Sequence, residues 1–288
     1  ALIVDSAVFL MNHPHYSVKE YTEKVSENNE VIRNYLNLVF NEITEDAKDI
    51  LFKIALLNNQ EVSKNILSYI VSDKLRLNKS IEELINLNIL RMINKDRNHP
   101  IFAMHDIYKE ELLRISRNRD QENLRKIIKN INHILPKDFK QDIASLQSFR
   151  RDITLYGNLE VLLNNADKYS DNNFNLLELR LNFMISLLES CYMSKAEESI
   201  SWFKEKVKAN KINPKNNYEK SIYSTILVHL GTNEFFVHTK INEALNYLNT
   251  AKGLMEKLDS FLELKSYIYT DIAQVLVYGG ELEDAKKY

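Results

Sequence analysis

"ILRMINKDRNHPIFAMHD", residues 89–106, holds two β-leaning runs in a chain that otherwise carries the helical period. "ILRMIN" (89–94) and "HPIFAM" (99–104) flank the polar "KDRN" (95–98), as the arms of a hairpin flank its tip. A new helical pattern opens at His105–Asp106 and continues to about Ile115. An apolar strand that runs straight into His-Asp poses the functional question. The pair reads as a helix cap, as half of a catalytic pair, or as one contact of a nucleotide site whose remainder lies elsewhere.

The segments before the hairpin are helical. Residues 1–12 form one pattern, ended by "NHPH" (12–15). Ser17 and Glu20 make an S-x-x-E capping box that opens a short helix to about Val25, and "SENNE" (26–30) is a polar break. A helix over 31–43 carries Ile32, Tyr35, Leu36, Val39 and Phe40 on one face. Thr44 caps the next helix, 45–57, whose inner face is Ala47, Ile50, Leu51, Ile54 and Ala55; Glu45 and Asp46 suit its positive end. A third runs over 61–71 after "LNNQ" (57–60), and Ser80 with Glu83 predicts another capping box opening a short helix through Leu87. Helices, a polar-tipped hairpin and a closing helix describe a winged-helix domain over 28–117.

Beyond the charged "SRNRDQ" (116–121) everything reads helical: 122–134, 139–150, 152–169, 174–193, 195–209, 217–230, 240–258, 261–278 and 281–288. In the last unit Tyr269, Ile272, Ala273 and Leu276 share a face, Gly280 turns the chain, and Ala285 lies twelve residues beyond Ala273. That spacing resembles the tetratricopeptide repeat, in which small residues let paired helices approach closely. "EALNYLNTAKGL" (243–254) places Ala244, Leu248 and Ala251 at matching intervals, and "KAEESISWF" (195–203) resembles a further unit through Ala196. The fold class is therefore mostly α, a winged-helix domain with a small β-hairpin followed by an α-solenoid of tetratricopeptide-like helix pairs.

Composition narrows the function. The 288 residues carry a formal charge of −2, with none of the basic excess of a nucleic-acid binder. The apolar runs are far shorter than the roughly 20 residues a bilayer-spanning helix needs, so no membrane partner is expected. The start, "ALIVDSAVFLM" (1–11), carries Asp5 and no basic leader, unlike a signal peptide; without Met and already in a helical pattern, it reads as an excised fragment. One cysteine, Cys191, excludes an intrachain disulfide framework and fits a reducing cytoplasm. There are five glycines, the first at 157, and neither GxxxxGK[ST] nor GxGxxG occurs. A nucleotide would find only an accessory contact here.

Candidate site residues reduce to one. His13 and His15 flank Pro14 with no adjacent Cys, Asp or Glu to complete a metal set, so they read as a helix terminator and no metal is expected. His99, His133, His229 and His238 are isolated. Cys191 reads as core, and Trp202 and Phe203 as packing residues or the lining of a groove. No nucleophile has a base and no carboxylate pair stands out, so no catalytic residue is named. Lys64 and the tip residues Lys95, Asp96 and Arg97 are too neutral a set for a major groove. Asp106 reads as the cap of the helix it opens, with His105 at the mouth of that helix, suited to meet a phosphate oxygen.

"FAMHDIYKEELLRI" (102–115) resembles the MHD motif that closes the winged-helix domain of NB-ARC-type STAND signalling NTPases. "YLNLVFNEITEDAKDILFKIALL" (35–57) is similar to that domain's opening, and "IEELINLNILRMI" (81–93) to its L-x-x-L-x-x-x-S-L-L helix and first wing strand, with Asn88 in the serine position. "ALIVDSAVFLMNHPHYSVKEYTEKV" (1–25) resembles the helical segment that follows the family's GLP-type motif. With the repeats, the resemblance spans nearly the whole chain except residues 118–170.

The resemblance implies four parts: 1–27 as the end of the NB-ARC helical domain, 28–117 as the winged-helix domain, 118–170 as a helical linker or atypical repeats, and 171–288 as tetratricopeptide-like repeats. It implies that His105 touches the β-phosphate of ADP, that Met104 packs inward and that Asp106 braces the loop. ADP or ATP would belong to the full-length parent, held mainly by an upstream nucleotide-binding domain. The expected function is regulatory, not enzymatic. The repeats bind a protein or peptide ligand in the cytoplasm, the winged helix holds the ADP-bound off state, and activation brings homo-oligomerisation, with defence as the family's role. The alternatives are a STAND-class transcription regulator with a DNA-binding effector and a plain repeat scaffold.

Overall fold

The computed structural model describes residues 2–26, 31–71, 73–94, 100–115, 117–132, 153–168 and 173–288, leaving aside the side chains of 2–4, 25, 26, 117–121 and 153. Over the described residues the chain is mostly helical with one small three-stranded sheet, and it divides into two compact units, 1–134 with 149–171, and 135–148 with 172–288. The expected helix over 139–150, the hairpin tip 95–98, His99 and His133 lie outside the described residues.

The first unit begins with α1 (Leu2–Asn12) and α2 (Val18–Ser26). The Ser17–Glu20 box forms as expected: the Glu20 amide donates to Ser17 Oγ at 3.2 Å, and the Ser17 amide donates to the Glu20 carboxylate at 3.0 Å. Next come α3 (Val31–Glu42) and α4 (Glu45–Ala55), which bury Tyr35, Leu36 and Val39, and Ala47, Ile50, Leu51, Ile54 and Ala55. Thr44 Oγ1 accepts from the Ala47 amide at 3.2 Å, the expected cap.

Two sequence expectations change here. The run 61–71 opens not as helix but as a two-residue strand, β1 (Val62–Ser63), and only then becomes α5 (Lys64–Ile70), with Ser63 as its N-cap. The Ser80–Glu83 pair does not start a helix: α6 runs Lys74–Asn86, capped by Asp73, and Ser80 is buried in its middle. Glu83 instead caps across space, accepting from the Thr44 amide at 2.8 Å and from Thr44 Oγ1 at 2.7 Å. The acid does serve a helix start, but that of α4.

The hairpin consists of β2 (Leu90–Met92) and β3 (Ile101–Met104), and β1 adds antiparallel to the far side of β3, giving the order β1-β3-β2. Phe102 and Met104 point into the core. α7 (Asp106–Ile115) follows β3 and packs on α3 and α4; α8 (Arg117–Ile131) packs on α4 and α5, and α9 (Ile153–Lys168) on β1 and α8. Residues 117–121, read as a charged break, are helical.

The second unit stacks helices in sequence order: α10 (Phe174–Glu189), α11 (Met193–Lys208), α12 (Asn217–Phe236), α13 (Ile241–Met255), α14 (Leu262–Tyr278) and α15 (Leu282–Ala285). Ala244, Leu248 and Ala251 are fully buried between α12 and its neighbours, as their spacing implies. Gly231 makes that approach possible, since a Cβ there would lie 2.9 Å from Leu248 Cγ and 3.2 Å from the Ala244 carbonyl oxygen. On α14 the buried face is Leu264, Ile268, Ile272 and Val275, rotated from the expected face so that Tyr269, Ala273 and Leu276 are only half-buried.

Cys191 is exposed, not core. It stands just past the end of α10 at φ +63°, donating its amide to Leu188 while Tyr192 donates to Leu187, and this left-handed turn swings its side chain outward.

Candidate functional site

The same helix-ending turn builds the site in the first unit. At the end of α6 the Asn88 amide donates to the Ile85 carbonyl at 2.9 Å and the Ile89 amide to Leu84 at 3.0 Å, with Asn88 at φ +59°. A left-handed position just after a helix favours Asn over Ser, which gives the departure at residue 88 a backbone reason. The turn feeds β2, where Arg91 pairs with Ala103 on the face opposite buried Phe102 and Met104.

β3 ends at the histidine. The Met104 amide donates to the Asn59 carbonyl at 2.6 Å, and Asn59 Nδ2 returns a bond to the Met104 carbonyl at 2.7 Å. The His105 carbonyl accepts from the amides of Tyr108 (3.0 Å) and Lys109 (3.2 Å), and its ring Nδ1 accepts from the Ile107 amide at 3.3 Å. His105 is thus itself the N-cap of α7, displacing Asp106 from the role expected of it. With Nδ1 as acceptor, the neutral imidazole carries its proton on Nε2.

Asp106, the first residue of α7, accepts from Asn59 Nδ2 at 2.8 Å and Gln60 Nε2 at 2.9 Å. Those two side chains hold its carboxyl below the ordinary carboxylate range, with His105 and Lys109 adding to the effect. The 57–60 loop that supplies them is fixed from its other side: Asn165 Nδ2 donates to Leu56 O (3.0 Å), the Asn58 amide to Asn158 Oδ1 (3.1 Å), and Lys109 Nζ to Leu57 O (2.9 Å).

Asp5, on α1, completes the site. Its side chain is 1% exposed, and it accepts from the Tyr108 hydroxyl, from Asn88 Nδ2 and from an Arg91 guanidinium nitrogen at 3.3 Å. Burial, then the bond to Asp5, pushes the Tyr108 hydroxyl well above the ordinary phenol range, so it stays a proton donor. Asp5, Gln60, Asn88, Arg91, His105, Asp106 and Tyr108 are the polar residues lining a cleft of about 220 Å³.

The arrangement can receive an anion. Among the described residues lining the cleft there is no serine, threonine, cysteine or lysine, and the one phenol is held protonated. What the cleft offers is a half-exposed guanidinium and an imidazole N–H.

Of these residues, sequence reading singled out His105 and Asp106 for the site and missed Asp5, Arg91 and Tyr108. A lone acid in the apolar start 1–11 was the available signal, since an Asp inside an apolar stripe needs buried donors.

The other candidates stand apart. Glu42, 27 residues beyond His15, comes within 3.7 Å of His13 Nε2 and 3.6 Å of His15 Nε2, a neighbour the local sequence did not contain. Among the described residues, no group of three or more His, Cys, Asp or Glu has a geometry that could hold a metal ion. His229 is half-buried in α12 and His238 is exposed after it. Trp202 is half-buried under Arg180 (4.2 Å) and Lys206 (4.7 Å), and Phe203 is fully buried. Among the described residues no helix is long and apolar enough to cross a membrane.

Compared with known proteins, the chain matches no family model, no curated protein and no solved structure.

Proposed function

We propose that this chain is the regulatory and sensor part of a STAND-type nucleotide switch. In this reading 1–27 is the end of the NB-ARC helical domain, 28–117 a winged-helix domain, 118–170 a helical linker, and 171–288 a tetratricopeptide-like array that takes a protein or peptide ligand. The observation that carries it is His105 as the N-cap of α7, its ring bordering, together with Arg91, a cleft large enough for a phosphate group.

The order α3-α4-β1-α5-α6-β2-β3-α7, with β1 beside β3, supports the winged-helix reading, and the consecutive helix pairs of the second unit support the repeat reading. His105 then acts as a latch. An imidazole N–H to a phosphate oxygen is a charge-assisted hydrogen bond, so it favours the state in which ADP sits against the winged helix. The nucleotide itself would be held mainly by a phosphate-cradling loop, which these 288 residues do not contain. A ligand on the repeats that binds the open state more tightly by a few kcal/mol shifts the population toward exchange of ADP for ATP and oligomerisation.

The test is His105→Ala in the complete switch protein. ADP release should quicken by about tenfold or more, the loss of one hydrogen bond to a charged group, and resting activity should rise. Unchanged ADP retention together with an unchanged resting state would remove His105 from the mechanism.

A further inference from the structure

The cleft holds its one guanidinium in an ion pair. Arg91 lies 3.3 Å from Asp5, and the cleft's other carboxylate, Asp106, is occupied by Asn59 and Gln60. We propose that Arg91 is a second anion-binding residue of this cleft and that Asp5 is its built-in competitor, a carboxylate on α1 that takes the guanidinium when no phosphate group is present. The inference rests on the reading of His105 as a phosphate contact and adds the regulation of that site.

Three observations carry it. The first is position: Arg91 pairs with Ala103 across the hairpin, two residues before His105, so both side chains border one cleft. The second is size. About 220 Å³ is enough for a phosphate or diphosphate group.

The third is the asymmetry of Asp5's donors. Tyr108 is buried and Asn88 is fixed by the turn after α6, whereas the Arg91 side chain is 52% exposed. Arg91 can therefore turn to an incoming anion while Asp5 keeps two donors, which a buried carboxylate requires. Because Asp5 belongs to α1, binding an anion at Arg91 weakens the hold on α1, and displacing α1 frees Arg91. The two effects are reciprocal by linkage.

The experiment is a calorimetric titration of this chain with inorganic pyrophosphate, in the wild type and in D5N, R91Q and H105Q, each checked by thermal melting. D5N should bind about fivefold more tightly or better, the effect of one unit charge fewer at roughly 4 Å in water-like surroundings. R91Q and H105Q should each weaken binding by about tenfold or more, as expected for a hydrogen bond to a charged group.

If D5N does not fold, the Arg91 Nε–H resonance of the wild type, assigned by its loss in R91Q, should move on pyrophosphate addition; a fixed resonance overturns the exchange of partners. A folded D5N with equal or weaker affinity overturns the competitor role. R91Q unchanged with H105Q weakened removes Arg91 and leaves the His105 reading standing. No binding by either wild type or D5N overturns both.

Discussion

The Tyr108 hydroxyl donates to Asp5 across 103 residues of sequence, and both side chains are buried. The bond ties α1 to α7 and, through Asn88 and Arg91, to both ends of the turn that leads into the hairpin. Asp5→Ala leaves the Tyr108 and Asn88 donors without their acceptor and should destabilise the first unit by about 3–5 kcal/mol, whereas Tyr108→Phe leaves Asp5 two donors and should cost about 1–3 kcal/mol. Urea unfolding followed by circular dichroism gives both numbers. Equal, small effects would mean that the clamp contributes little. Because the folded-state hydroxyl titrates above its unfolded value of 10.0, its contribution is full below about pH 10 and falls as pH rises beyond.

Asp106 titrates in the opposite sense. Its carboxyl is held below the unfolded value of 3.8 by Asn59 and Gln60, so the stability it contributes is present above about pH 4 and is lost as pH falls below that. In Asn59→Ala the carboxyl should move back up toward its ordinary value, and the buried Met104 carbonyl loses its side-chain donor at a cost of about 1–3 kcal/mol. NMR titration of the Asp106 side chain in both proteins measures the shift; an identical midpoint would mean that Asn59 does not set it.

In the second unit Glu234 is buried and meets Lys204 Nζ at 2.7 Å, and the same ammonium donates to Asn233 Oδ1 at 3.0 Å. Burial pushes the Glu234 carboxyl up, but the bond and charge of Lys204, with Lys240 beyond it, bring it below the ordinary range. Lys204→Met should reverse that direction and cost about 3 kcal/mol, because the buried carboxylate loses its nearest cation and keeps the more distant Lys240. Thermal melts at pH 5 and pH 8 should show the variant losing more stability at the higher pH. A pH-independent loss would point to packing alone.

Two glycines should respond with opposite signs. Gly231→Ala forces a Cβ against Leu248 and the Ala244 backbone and should destabilise by about 1–3 kcal/mol. At Gly253, on the exposed side of α13, a Cβ meets nothing within 4 Å, so Gly253→Ala should stabilise by about 0.5–1 kcal/mol. Melting temperatures moving in the same direction would contradict the close approach of α12 and α13.

What the sequence discloses follows the range of the interaction. The Ser17–Glu20 box and the Thr44 cap are readable because donor and acceptor lie three residues apart. β1 is not, since Val62 and Ser63 become a strand only by pairing with Phe102 and Ile101. Glu83 carries a cap signal whose target, Thr44, lies 39 residues away, and Ser80 three residues before it supplied a false local partner. His105 and Asp106 stand out as a motif, but Asp5 reaches them only through the fold. The backbone turns after α6 and α10 were equally hidden, because Asn88 and Cys191 occupy positions for which glycine is the usual sign.

The Asp5 clamp also has a kinetic consequence. A contact closing a loop of about a hundred residues is costly in chain entropy and forms after the local helices and the hairpin are in place. Substitutions at Asp5 should therefore speed unfolding and leave the refolding rate close to wild type, a division that stopped-flow measurement resolves. The first helix of the chain would then be the last to dock and the first to leave, so the lifetime of the cleft follows the lifetime of a single carboxylate's hold on its donors.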